Sequence, residues 1–218
     1  MITFASVLRS CGPGTLAFLE EAWRLKDQVR AGWLLRGVPD PESVADHSWG
    51  TALLVALFGR CAGVDRTRAL EIALLHDLAE AHTGDIPTRV RPEDRQVTPE
   101  EKRRREGGAM EAILAPLRNG PTDDEAGDWI LERFSDYEER RTPEARFVSD
   151  MNLIDMVLQA LCYRREGRYD RASDALDPAT GEFPGLSEFF ATAEPRFSTD
   201  TGRRLFATIR DAYEELAQ

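Results

Sequence analysis

The sequence is short of cysteine, histidine, positive charge and long apolar runs, and each shortage narrows what the chain can be. Its three cysteines, Cys11, Cys61 and Cys162, stand far apart and are odd in number. That pattern fits neither a disulfide framework nor a zinc knuckle, and it predicts a reducing compartment. No uninterrupted apolar stretch approaches the ~18 residues that span a bilayer. The opening MITFASVLRSCGPG lacks the apolar core and cleavage site of a secretory leader. A cytoplasmic protein with no membrane partner is expected. Lys and Arg number 28 against 39 Asp and Glu, a formal net charge of −11. Such a chain repels a nucleic-acid backbone, so no nucleic-acid partner is expected. Its one basic run, KRRRE at 102–106, lies among Glu100, Glu101 and Glu106 and reads as a solvated helix face.

Hydrophobic residues make up 42% and charged residues 31% of the 218 positions, an ordinary globular balance. The length suits one well-cored domain over 1–218, with no linker or repeat to divide it. No segment alternates apolar and polar residues as a half-buried strand requires, and almost every segment has helical periodicity. The pattern predicts helices at Thr15–Arg30, from just after Pro41 to about Ala62, and at Arg66–Thr83. Further helices are expected at about 98–118, 123–140, 143–166 and 199–217, with a loop over 170–185. The fold class is therefore all-α, a single helical bundle. Trp23 and Trp49 read as core, and Trp129 as a packing residue of its amphipathic helix.

All three histidines, His47, His76 and His82, fall within two adjacent predicted helices. His76 and Asp77 interrupt the apolar side of IALLHDLAEA, where leaving them unpaired would cost several kcal/mol. A divalent cation removes that cost, since imidazole nitrogen and carboxylate oxygen together suit Mn²⁺, Fe²⁺, Co²⁺ or Zn²⁺. Glu80 follows His76 at i+4 and shares its helix face. His82, at i+6, points away from the pair.

His47, then His76-Asp77, then a later helix with an acidic ligand resembles the HD-domain phosphohydrolases. The blocks RAGWLLRGVPDPESVADHS, HDLAEAHTGDIP, KRRREGGAM and EARFV…MVLQA are similar to those of the HD-domain 5′-deoxynucleotidases, over about Leu25 to Arg168. The resemblance implies a single HD-domain bundle, with C-terminal helices at 184–217 packing on that core. It implies that His47, His76 and Asp77 hold a divalent metal ion (Mn, Co, Fe, Mg or Zn), and that Glu80 and Asp85 work on water and phosphate. It makes Arg30, by itself a surface residue, the holder of the phosphate. Trp33, by itself core, would pack on the sugar and crowd a 2′-hydroxyl. A nucleotide substrate and a homodimer are implied as well.

Two positions depart from the family pattern. Asn152 stands where the family has a fourth ligand, an aspartate; an amide oxygen can coordinate but brings no charge. Asp155 is at i+3 on roughly the same face, where the family already carries an acid, and Asp150 points nearly opposite. Gly107 and Gly108 replace the family's glutamates and mark either a helix break or a lost second-cation site. The expected activity is removal of the 5′-phosphate from (deoxy)nucleoside monophosphates. Three alternatives stay open: a nucleotide-binding protein weakened in catalysis by Asn152, a tailoring phosphatase for an unusual nucleotide, and an alarmone hydrolase. The last usually carries Glu-Asp after HD, whereas Ala81 follows Glu80 here.

Overall fold

Several helices begin where a short polar side chain can take up the free N–H groups of a first turn. The structure, a computed structural model, describes residues 13–118, 124–169 and 182–216. Cys11 and most of the expected 170–185 loop lie outside them. The elements are α1 (Pro13–Trp23), α2 (Ala31–Leu35), α3 (Val44–Ala62), α4 (Arg66–Leu75), α5 (Glu80–Thr83) and α6 (Pro99–Arg118). They continue with α7 (Asp124–Glu139), α8 (Pro143–Arg165), α9 (Ser187–Ala193) and α10 (Asp200–Glu215). Ser43 and Asp46 form a reciprocal capping box at the start of α3, which ends in Gly63 at φ 71°. Thr142 and Pro143 start α8, and Thr199 caps α10. Among the described residues there is no strand, and the all-α expectation holds.

Two predicted helices are broken, each for a local reason. The one expected over Thr15–Arg30 gives way to a 3₁₀ turn at Arg24–Lys26, after which Val29 forms an isolated antiparallel bridge with Ser43. Arg30 N–H donates to Glu42 O (3.1 Å) and Val44 N–H to Gln28 O (2.8 Å), so residues 28–30 leave the helix to bind the segment ahead of α3. The one expected over Arg66–Thr83 tightens at His76–Ala79. Leu78 N–H donates to Leu75 O (3.1 Å) and Glu80 N–H to Asp77 O (2.9 Å), both i to i+3. Gly107 and Gly108, by contrast, lie in an unbroken α6, which removes the helix-break reading of that pair.

The apolar side chains fall into two clusters. One surrounds α8, where Phe147, Met151, Ile154 and Val157 meet Val55 of α3, Ile72 of α4, and Phe190 and Phe206 of α9 and α10. The other joins Leu25 and Val44 to Leu78, Ala79, Met110, Ile113, Leu117 and Phe134. Both α3 and the α4–α5 run contribute to each cluster, and His47 and His76 fall between those contributions. Asp150, fully buried, accepts from Ser198 N–H (3.0 Å) and Thr199 N–H (2.7 Å) and holds the start of α10 on α8.

The tryptophan expectations need correction. Trp23 is 59% exposed on the outside of α1, and Trp49 is 68% exposed. Two residues from His47 is about 200° around a helix, so Trp49 faces outward when His47 faces in. It heads an exposed stripe on α3 with Leu53 and Leu57. Trp129 is partly exposed too, with the Arg133 guanidinium 5.9 Å from its ring.

Candidate metal centre and pocket

His47 and His76 are both tied through Nδ1, which leaves Nε2 as the free ring atom. His47 Nδ1–H donates to Asp155 Oδ2 at 2.6 Å, and His76 Nδ1–H donates to the Ala73 carbonyl at 2.8 Å. Each bond sets the tautomer so that Nε2 carries a lone pair. His47 Nε2 lies 3.6 Å and His76 Nε2 3.2 Å from Asp77 Oδ2. All three atoms are buried without an aligned hydrogen-bond partner, and they lie within 4.8 Å of one another. Two imidazole nitrogens and a carboxylate turned inward without partners form a donor set that fits a divalent cation. Burial opposes charge on Asp77, yet His76, His47 and Arg30 together hold it well below the usual carboxylate range. Burial and Arg30 push His47 down; for His76 burial acts the same way, but Asp77 outweighs it and raises it.

Gly50 explains how Asp155 gets there. A Cβ on Gly50, one turn beyond His47 on α3, would stand 2.0 Å from Asp155 Oδ1. Glu42 is close behind: it accepts from Trp33 Nε1 (2.9 Å), and burial with the neighbouring Asp155 pushes it up to about 7.

The remaining residues singled out in the sequence line one cavity of about 500 Å³ with His76 and Asp77. Arg30 reaches Asp77 Oδ2 (3.6 Å) and Glu42 Oε1 (4.0 Å), and these carboxylates with Asp85 and Glu80 raise it despite burial. Glu80 is buried with Oε2 unpartnered, and burial, Asp77 and Asp85 raise it well above its ordinary value. Asp85 Oδ2 accepts from Ala31 N–H at 2.6 Å, fixing the loop after α5 to the start of α2. Trp33, 1% exposed, stacks on Phe189 with ring centres 4.0 Å apart. Asn152 lines the cavity and donates Nδ2–H to the Tyr137 hydroxyl (2.7 Å), which leaves its amide oxygen as the atom to offer. His82 pairs instead with Glu21 (2.7 Å), away from the centre as expected.

Residues 22–177 match the model of the HD domain. The chain belongs to the HD-domain family. It is 34% identical over 175 residues to 5′-deoxynucleotidase HDDC2 of Xenopus laevis, covering 80% of this chain and 82% of that protein. It is 39% identical over 152 residues to 5′-deoxynucleotidase hdd1 of Schizosaccharomyces pombe, covering 68% and 72% respectively. Among solved structures, a conserved hypothetical protein from Pyrococcus furiosus superimposes with a TM-score of 0.65 at 28% identity, over 91% of this chain and 99% of that one. HD domains are metal-dependent, which agrees with the donor set above.

This HD domain also contains pocket residues that the sequence reading passed over. The KRRRE run is not one solvated face. Arg104 and Arg105 are exposed and pair with Glu101, but Lys102 and Glu106 turn into the cavity, 3.5 Å apart. Burial pushes Glu106 up to about 7. Their i, i+4 spacing was the available signal. Tyr137, whose ring lies 5.0 Å from that of His76, and Arg196 carry no local motif.

Proposed function

We propose that this chain is a metal-dependent phosphohydrolase that removes the 5′-phosphate of nucleoside monophosphates, deoxynucleotides foremost. The observation that supports it most is the convergence of His47 Nε2, His76 Nε2 and Asp77 Oδ2, buried and unpartnered, with His76 and Asp77 lining the same cavity as Arg30 and Glu80. The names of the deoxynucleotidase relatives agree with it. His47, His76 and Asp77 hold the cation, and the Asn152 amide oxygen completes the set without adding charge. When bound, that cation supplies Lewis-acid charge and makes water more acidic. Arg30 binds the phosphate through a guanidinium that stays charged under all conditions. Glu80, in its ionised form, accepts a proton from the attacking water, and Asp85 serves the leaving nucleoside oxygen. Trp33 forms the sugar wall. The metal is Mn, Co, Fe, Mg or Zn, the protein is cytoplasmic, and it works as a homodimer for which the Trp49–Leu53–Leu57 stripe offers an apolar face. No helix among the described residues is long and apolar enough to cross a membrane.

Asn152 favours a second reading, a nucleotide binder that has lost turnover. Phosphate release from a panel of deoxy- and ribonucleoside monophosphates with Mn²⁺, Co²⁺ or Mg²⁺, run beside Asn152→Asp, separates the two. The enzyme reading expects turnover by the natural chain, with Asn152→Asp changing mainly the metal concentration required. A silent natural chain that Asn152→Asp revives is a binder; silence from both rejects the phosphohydrolase.

A further inference from the structure

Two guanidiniums on the Tyr137 side of the cavity have no part in this chemistry. Arg196 ends the 3₁₀ turn Glu194–Arg196 after α9, is half-buried and lines the cavity. Among the described residues it has neither a hydrogen-bond nor a carboxylate partner. Sequestering a cation without a partner is unfavourable, and most buried polar groups find one. Burial pulls Arg196 below its ordinary value, and the nearby Arg140 adds to that, against Tyr137. Arg140 follows α7 and lines the same cavity. Its φ is 49°, the left-handed conformation that usually belongs to glycine after a helix. A glycine would relax that backbone, so the arginine is held there against its own conformational preference. Its guanidinium also lacks an ion-pair partner among the described residues. Glu138 and Glu139 line the cavity as well; burial raises Glu138, and Glu139 pairs with Arg141 at 3.2 Å.

Arg30 is engaged differently, between Asp77 and Glu42. Among the described residues five arginines line the cavity, Arg30, Arg95, Arg103, Arg140 and Arg196, together with Lys102. Arg30 lies beside Asp77, whereas Arg140 and Arg196 are the two whose charge acts on Tyr137, whose hydroxyl meets Asn152. Resting on the nucleotide reading above, we infer that Arg140 and Arg196 form a second anion subsite, which takes a second phosphate of a nucleotide whose scissile 5′-phosphate lies at Arg30. Guanidiniums suit this task because their fixed donors match phosphate oxygens in pairs. The second phosphate sits either on the sugar 3′-oxygen or as the β-phosphate of a 5′-diphosphate.

Calorimetric titration of the metal-loaded protein with hydrolysis-resistant 5′-phosphonate analogues tests this. Three analogues are needed: the monophosphonate, its 3′-phosphorylated form, and the form extended by a β-phosphate. The natural protein should bind one doubly anionic analogue about tenfold more tightly than the monophosphonate, and which one identifies the source of the second phosphate. That ratio should fall towards one in Arg196→Gln and in Arg140→Gly, the latter without loss of thermal stability. A ratio near one in the natural protein overturns the subsite, and so does a ratio that survives both substitutions. Phosphate release from ordinary monophosphates by the same samples keeps the two readings apart. Turnover without a ratio rejects the subsite alone, whereas no turnover and no binding rejects both.

Discussion

Asp155 Oδ2 sits 2.6 Å from His47 Nδ1, in space that exists because residue 50 is glycine. Partners of this kind orient a metal-binding histidine, and losing one typically lowers metal affinity 10–100-fold. Asp155→Asn should weaken Mn²⁺ binding by roughly that factor. Gly50→Ala should do so too, by pushing Asp155 aside. Metal titration with a spectroscopic or calorimetric readout checks both; unchanged affinity in the two variants would remove Asp155 from the account.

Glu106 gives a pH dependence whose sign can be worked out. Its carboxyl ordinarily titrates near 4.5 and burial pushes it up to about 7 in the folded chain. Between those values the folded state holds more protons than the unfolded one, so this group makes stability fall as pH rises, levelling off above about 7. Glu106→Gln should remove that slope, leaving the variant more stable than the natural chain at about pH 8 and little changed near pH ~4. The gap should not exceed ~3 kcal/mol. Urea unfolding at the two pH values measures it, and parallel curves for the two proteins would contradict the assignment.

Asp150 holds α10 through the backbone and hydroxyl groups of Ser198 and Thr199. Asp150→Ala leaves those donors buried beside a cavity and should destabilise the fold by ~3 kcal/mol or more. Thermal unfolding would show it. Metal affinity should change far less, because both Asp150 oxygens are taken up by Ser198 and Thr199.

The stripe of Trp49, Leu53 and Leu57 bears on assembly. If two copies meet there, Leu53→Glu with Leu57→Glu should yield a monomer whose circular dichroism is unchanged. Light scattering on the eluting protein reads the mass directly. A natural chain that already elutes as a monomer would dispose of the dimer.

Much of the fold could be read in advance because caps and breaks are local. Ser43, Thr142 and Gly63 mark helix ends by their own chemistry, and the His76-Asp77 interruption was visible as polarity in the wrong place. What could not be read was non-local. Residues 28–30 look helical until the segment ahead of α3 competes for their hydrogen bonds; the outward face of Trp49, by contrast, follows locally once His47 is taken as facing in. Lys102 and Glu106 resemble their charged neighbours until α6 is rotated against the pocket. Arg140 and Arg196 come together only through the packing of α7 and α9 around α8.

The candidate centre also lies on the seam between the two apolar clusters, with His47 and His76 on the helices that serve both. The two clusters share α3 and the α4–α5 run, so the seam is where the stability of one is coupled to that of the other. A bound ion bridging α3 to the α4–α5 run would act as a rivet. Chelation should therefore do more than lower the melting temperature: it should broaden or split the calorimetric transition as the Met110 side and the Met151 side lose their common fastening.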